Sequence, residues 1–281
     1  MYSLAEKKWK RSLDWKQLVP RCSHPECTTG SRWTGVLHRV AGFRLNEQEW
    51  FCSPRCLEES LEGHLLAYFF EDGPPAPVRT TMPMGLMMLA RGIISSPQLR
   101  EAMDLQRTSG ERIGACLQRL APISDEDIAS VVATQWGCPV FPAHSVQPGC
   151  ALLVPCSLIE RYRLLPVHLV SQGKRLFVGF CDKVNHTALL AIEQMLGCNT
   201  EACIIAETKL LQGIEHRKHD TAGEVAVGRP RSAAETARMI LSYAQQTGAG
   251  ALRLREIEGN IWVRFFSARS HLDLVFVTGT L

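Results

Sequence analysis

The stretch MGLMMLARGIISSPQLREAMDLQ (residues 84–106) is answered, 29 residues further on, by IGACLQRLAPISDEDIASVVATQ (residues 113–135). Aligned in this way, Gly85 falls on Gly114, Met88 on Leu117, Ile94 on Ile123 and Ser95 on Ser124. Leu99 falls on Ile128, Met103 on Val132 and Gln106 on Gln135. A period of this length marks a duplicated supersecondary unit. Each copy predicts a short helix, a turn and a second helix. Ser95 with Gln98, and Ser124 with Asp127, have capping-box spacing at the start of that second helix. Leu99 with Met103, and Ile128 with Val132, lie four residues apart and therefore on one helical face. Periodicity alone predicts a four-helix bundle with a duplicated core over residues 83–136.

Outward from the repeats, residues 150–216 read as an α/β unit. Helix signals occur at Leu158–Tyr162, Thr187–Leu196 and Thr208–Glu215, and strand signals at Leu164–Val170, Arg175–Cys181 and Glu201–Ile205. Asp182 follows the second of these strands and reads as a turn or helix-entry residue. Residues 217–232 are a polar linker, and residues 233–281 give a helix, Ala233–Thr247, followed by strands at Ala251–Ile257 and Ile261–Phe266. On the other side, residues 71–82 form a linker, because Pro74, Pro75 and Pro77 can neither continue a helix nor enter a sheet. Residues 1–19 are basic, and residues 20–70 are rich in cysteine and tryptophan.

The second repeat is more specific than its period. Arg112-Ile113-Gly114-x-x-Leu117, followed by Ile128-x-x-x-Val132-x-x-Gln135, resembles the R-L-G-x-x-L motif, ending in L-x-x-x-L-x-x-Q, found in tandem in MshE-type N-terminal domains. These domains belong to type II secretion and type IV pilus assembly ATPases. The resemblance covers residues 83–216 and implies binding of cyclic di-GMP, one repeat to each half of the ligand. It carries over Arg112, Ile113, Gly114, Leu117, Ile128, Val132 and Gln135 from the second copy, and Gly85, Met88, Gly92, Leu99, Met103 and Gln106 from the first. The chemistry suits the residue types. An arginine pairs with guanine O6 and N7 through two N–H groups, and a glycine at a helix start lets the ligand approach the backbone. Two positions depart from the motif. Pro83 stands where the first copy should have its arginine, and Ala121 where the second copy should have its second glycine. A ligand site and a degenerate scaffold therefore both remain open. Residues 233–281 are similar to the start of the second N-terminal domain of the same ATPases, but Ala251-Leu252-Arg253 replaces the family's usual Asp-Ile-His.

Cys22 and Cys27, and Cys52 and Cys56, form two close pairs, a spacing that brings four thiolates to one tetrahedral zinc. Pro25, Gly30 and Pro54 supply turns, and Trp33, Phe43, Trp50 and Phe51 are candidates for a small core around the metal. His24 is an alternative ligand. A complete four-cysteine set has no open coordination position, so the zinc would be structural. The other seven cysteines lack ligand spacing and read as buried thiols.

With 46% apolar residues and a net charge of +3, the chain can build packed cores and has no strong electrostatic case for nucleic acid as its main partner. No apolar run reaches the roughly 18 residues of a membrane span, and the basic N-terminal stretch has no apolar core of the signal-peptide kind. No G-x-x-x-x-G-K-[ST] occurs, so the sequence has no phosphate cradle and no catalytic constellation stands out. The fold expected is α+β and multidomain: a four-cysteine zinc module, a helical tandem-repeat bundle packed with an α/β subdomain, and a short partial α/β domain. The function expected is that of a non-enzymatic regulatory or scaffolding protein, truncated before any motor domain. It would be cytoplasmic or peripheral at the inner face of the inner membrane, with secretion or pilus proteins as partners. The alternatives are a ligand-free adaptor and a nucleic-acid-binding regulator that uses Arg21, Arg32, Arg39, Arg44 and Arg55 around the zinc.

Overall fold

The computed structural model describes residues 21–28, 42–70, 82–142, 146–170, 174–218, 224–227, 230–267 and 271–277. The basic segment 1–19, most of the linker 71–82, and Gly30, Arg32, Trp33, Arg39 and their neighbours lie outside these residues. In chain order the elements are β1 (Phe43–Leu45), β2 (Glu49–Phe51), α1 (Pro54–Phe70), α2 (Met84–Ala90), α3 (Ser96–Ser109), α4 (Ile113–Leu120) and α5 (Asp125–Trp136). A 3-10 turn (Pro148–Leu153), α6 (Cys156–Tyr162), β3 (Leu164–Val170), β4 (Arg175–Phe180), α7 (His186–Leu196), β5 (Asn199–Ile204) and α8 (Glu207–Lys218) follow. The last are β6 (Glu224–Val227), α9 (Ala233–Thr247), β7 (Ala251–Ile257), β8 (Asn260–Phe266) and β9 (His271–Val277). The expected mixture of helices and strands is therefore present.

The chain divides into two compact units. The first comprises Met1–Phe69, Arg231–Arg253 and Phe265–Arg269. Here β1 pairs antiparallel with β2 and parallel with the start of β7. Helix α1 is the largest feature that the cysteine-rich reading did not foresee. Leu57, Leu61 and Leu65 recur every fourth residue on one of its faces, and all three are fully buried, together with Phe51 and Leu45. This unit thus draws on aliphatic as well as aromatic burial, at about 1.5–3 kcal/mol per large side chain. A Cβ on Gly42 would lie 2.4 Å from the Trp50 ring, so the chain entering β1 needs glycine there.

The second unit comprises Phe70–Pro230, Leu254–Arg264 and Ser270–Leu281. Its four repeat helices form as their caps dictate. The Ser95 hydroxyl accepts from the Gln98 amide and the Gln98 side chain accepts from the Ser95 amide; Ser124 and Asp127 do the same. Left-handed Gly110 and Gly137 end α3 and α5. Met88, Leu99, Cys116, Leu117, Ile123 and Val131 form the bundle core. In the α/β part, β3 pairs antiparallel with β4 and β4 pairs parallel with β5. Pro166 is tolerated in β3 because that strand lies at the sheet edge, and the register shifts beside it.

The two copies are not placed alike. Ala129, Val132 and Ala133 of α5 pack into the α/β core, while Val131 on the same helix enters the bundle core. In the first copy, α3 gives Leu99 and Ala102 to the bundle alone, and Met103, the counterpart of Val132, is 42% exposed. β9, which the sequence reading did not include, pairs parallel with β6. Its central Asp273 is buried because Arg264 Nε and Nη2 donate to it at 2.7 and 2.6 Å, and Trp262 Nε1 at 2.9 Å.

Candidate functional site

Arg112 is the N-cap residue of α4, extended at φ −70°, and Pro83 occupies the equivalent extended position before α2. Beside Arg112 lies a cavity of about 280 Å³. Arg112, Ile113, Gly114 and Ala115 at the start of α4 line one side, and Ile128, Ala129, Val132 and Gln135 of α5 another. Cys181 and Asp182 after β4, with Ile205 and Glu207 before and at the start of α8, close the site from the α/β part. Met84 and Gln106 of the first copy complete the rim, with Gln118 and Asp125.

The electrostatics are mixed. Arg112 Nη1 lies 2.7 Å from Asp182 Oδ2 and 3.7 Å from Glu207 Oε1. Arg163, left-handed at φ 47°, pairs with the same Glu207. The Cys181 sulfur accepts from both guanidinium groups, at 3.7 Å from Arg112 and 3.6 Å from Arg163, while burial pushes its thiol pKa up. Hydrogen bonds from Gln118 and Thr208 hold the Asp125 carboxyl below its usual range. The lining therefore carries three carboxylates (Asp125, Asp182 and Glu207) and one guanidinium.

Of the residues carried over by resemblance, Arg112, Ile113, Gly114, Ile128, Val132, Gln135 and Gln106 line this cavity. The others are placed elsewhere. Leu117 and Met88 are fully buried in the bundle core, with Leu99. Gly85 packs on Leu99, where a Cβ would lie 2.6 Å from Cδ1, and Met103 is exposed. Gly92 is left-handed at φ 70° in the turn after α2, whereas Ala121, its counterpart after α4, is extended at φ −147°. Alanine pays for a left-handed backbone and glycine does not, so the turn geometry differs between the copies. Asp182 and Glu207 were not foreseen as cavity residues. They come from the α/β part, where nothing in the repeat points to them.

In the first unit, the Sγ atoms of Cys22, Cys27, Cys52 and Cys56 all lie within 4.8 Å of one another. Cys27 and Cys52 are 3.5 Å apart and Cys52 and Cys56 3.9 Å. A tetrahedron with metal–sulfur bonds of about 2.3 Å has sulfurs about 3.8 Å apart, so the four thiols fit a metal ion. Cys22 and Cys27 flank a turn in which the Cys27 amide donates to His24 O at 3.2 Å. Cys52 and Cys56 straddle the start of α1, where Ser53 Oγ accepts from the Cys56 amide. Burial and the surrounding thiols push the Cys52 pKa up to about 12, so four thiolates need a cation to hold them together. His24, the alternative to one of these thiolates, is not part of the cluster, which the four cysteines complete; its Nε2 lies 3.0 Å from Glu59 Oε2.

No family model matches the sequence. The chain is 28% identical over 134 residues to the type IV pilus assembly ATPase PilB of Myxococcus xanthus, covering 47% of this chain and 23% of PilB. It is 27% identical over 149 residues to the bacteriophage adsorption protein B of Escherichia coli K12, covering 50% of this chain and 20% of that protein. The chain thus spans less than a quarter of the length of these curated relatives. A solved structure of MshE with cdg matches at 26% identity and a TM-score of 0.40, covering 48% of this chain and 97% of that one. Among the described residues, no helix is long and apolar enough to cross a membrane.

Proposed function

We propose that this chain, which over about half its length resembles the N-terminal region of type II secretion and type IV pilus assembly ATPases, is a non-enzymatic regulatory or scaffolding protein that binds cyclic di-GMP through its second repeat. The observation that carries this reading is the convergence of Arg112, Gly114, Ile128 and Gln135 on one cavity that also holds Asp182 and Glu207. Guanine offers acceptors at O6 and N7 and donors at its N1 and N2 positions. The Arg112 guanidinium suits the first pair and a carboxylate suits the second. The apolar faces of Ile113, Ile128 and Val132 suit the base plane.

Size and charge narrow the pose. At about 280 Å³ the cavity falls below the roughly 300–1,000 Å³ of a typical small-molecule pocket, so it takes one base and not the dinucleotide. Three carboxylates repel phosphate, so the sugar–phosphate ring stays at the solvent edge. The four cysteines hold a zinc ion that staples the N-terminal module and leaves no open position for catalysis. The protein acts in the cytoplasm, or peripherally at the inner face of the inner membrane, by contacting secretion or pilus machinery.

Titration of fluorescently labelled cyclic di-GMP against the purified full chain tests the reading. Saturable binding displaced by unlabelled ligand is expected, with no ATP turnover above background. Absence of binding leaves a second reading, a ligand-free adaptor. The existing pairing of Arg112 with Asp182 and Glu207 favours it, since the charges are already matched without a ligand.

A further inference from the structure

The turn from α6 to β3 is a single residue, Arg163, whose backbone lies at φ 47° and ψ 50°. Helices α3, α5, α7 and α9 end in the same left-handed region, each on a glycine: Gly110, Gly137, Gly197 and Gly248. Glycine has no Cβ to oppose that backbone, and arginine has one. Arg163 is therefore held in a strained conformation, an outlier of the kind that points to a use for its side chain.

That side chain reaches the cavity beside Arg112. Arg163 Nη2 pairs with Glu207 Oε1, the same oxygen that stands 3.7 Å from Arg112 Nη1, beyond hydrogen-bond reach. It also donates to Cys181 Sγ at 3.6 Å, which accepts from Arg112 at 3.7 Å. Arg163 is not itself a lining residue and touches the cavity through Glu207 and Cys181, which are. Of the three carboxylates in the lining, Asp125 is held by Gln118 and Thr208, and Asp182 faces Arg112 at 2.7 Å. Glu207 is left between two guanidinium groups.

We propose that Arg163 is a positioning residue for the ligand: it draws Glu207 off Arg112, so that Arg112 keeps one close carboxylate partner, Asp182, and has donors to offer guanine. The inference rests on the cyclic di-GMP reading above. Without Arg163, the Glu207 carboxylate turns to the neighbouring cation, Arg112. A ligand must then break a second ion pair to reach that guanidinium, and affinity falls with the fraction of molecules in which Arg112 is tied up. The side chains of Arg163 and Glu207 are 27% and 42% exposed, so their pairing contributes little to stability. The positioning role is therefore separable from folding.

The test is titration of labelled cyclic di-GMP against the full chain and its variants, each with a thermal melt. Arg163→Gly suits the left-handed backbone and removes the cation. It is expected to keep or raise the melting temperature and to weaken binding at least about tenfold. Glu207→Gln is expected to bind more tightly than the parent, since Arg112 then has one carboxylate beside it. Arg163→Gly combined with Glu207→Gln is expected to recover to within about threefold of Glu207→Gln alone, because the two changes act through one pair. Arg163→Lys keeps a charge on the single nitrogen that meets Glu207, and is expected to bind within about threefold of the parent. A purely structural residue would lose affinity and melting temperature together, with no repair by Glu207→Gln. Parent-like binding in Arg163→Gly, or a loss that the double variant does not repair, overturns this assignment and leaves the cyclic di-GMP reading in place. No binding by the parent overturns both.

Discussion

The Arg112 guanidinium lies 2.7 Å from a carboxylate oxygen of Asp182, joining the first residue of the second repeat to the end of β4, 70 positions later in the chain. Both side chains are about four-tenths exposed. The pair therefore contributes only about 0–1 kcal/mol to stability, and its removal leaves the fold intact. Its effect on ligand should be much larger. Arg112→Ala is expected to abolish measurable cyclic di-GMP binding. Asp182→Asn, which keeps the shape and loses the charge, is expected to weaken it by about one to two decades. Thermal melts alongside the titrations check that folding is unchanged. Full-strength binding in Arg112→Ala would place the ligand elsewhere.

Pro83 stands before α2 with the same extended backbone that Arg112 has before α4. An arginine at Pro83 thus fits the backbone without strain and restores the donor that the first copy lacks. Pro83→Arg is expected to tighten cyclic di-GMP by about one to two decades, the value of one charge-assisted contact. An unchanged dissociation constant would show that the first copy does not face the ligand.

Gly114 tests whether bareness serves the ligand or the protein. A Cβ there would meet Ile128 and Met84 at 3.5 Å, an ordinary contact. Gly114→Ala should therefore fold well and gain up to about 1 kcal/mol in helix propensity. The same methyl projects where the cavity is lined, so cyclic di-GMP affinity is expected to fall. A rise in melting temperature with no loss of affinity would remove Gly114 from the site.

The cysteine cluster predicts about one zinc per purified chain by elemental analysis. A strong chelator should release it and reduce the stability of the first unit, since metal binding by a four-thiolate site is folding free energy. Cys22→Ser with Cys56→Ser should do the same without chelator. A metal-free protein whose stability is indifferent to both treatments would remove the metal site.

The buried Arg264–Asp273 pair predicts a different kind of loss. Both side chains are about 5% exposed and doubly hydrogen-bonded. Asp273→Ala strands a buried guanidinium and the Trp262 N–H, and is expected to cost about 3–5 kcal/mol in denaturant unfolding. Arg264→Met with Asp273→Leu together should cost far less, because no charge remains unpaired.

Several elements were legible from local signals. The helix at Ala233–Thr247 and the strands at Leu164–Val170 and Ala251–Ile257 have the bounds that hydrophobic pattern and glycine punctuation indicate. α1 was hidden because cysteines and aromatic residues drew the reading away from Leu57, Leu61 and Leu65, whose spacing of four is the signal for it. β9 was hidden by Asp273, a charge that would disqualify a central strand position had Arg264 and Trp262 not met it.

The sequence by itself determined the duplication, the capped helices and the two cysteine pairs, because each rests on contacts between residues a few positions apart. It could not say which copy makes a cavity. That was decided by tertiary packing, which lays α5 against the α/β core with Val132 buried and leaves Met103, its counterpart, facing solvent. Only that packing brings Asp182 and Glu207 to Arg112. Two chemically similar repeats become unequal because burial and charge pairing depend on what lies across the interface, and a repeat carries no record of its neighbour.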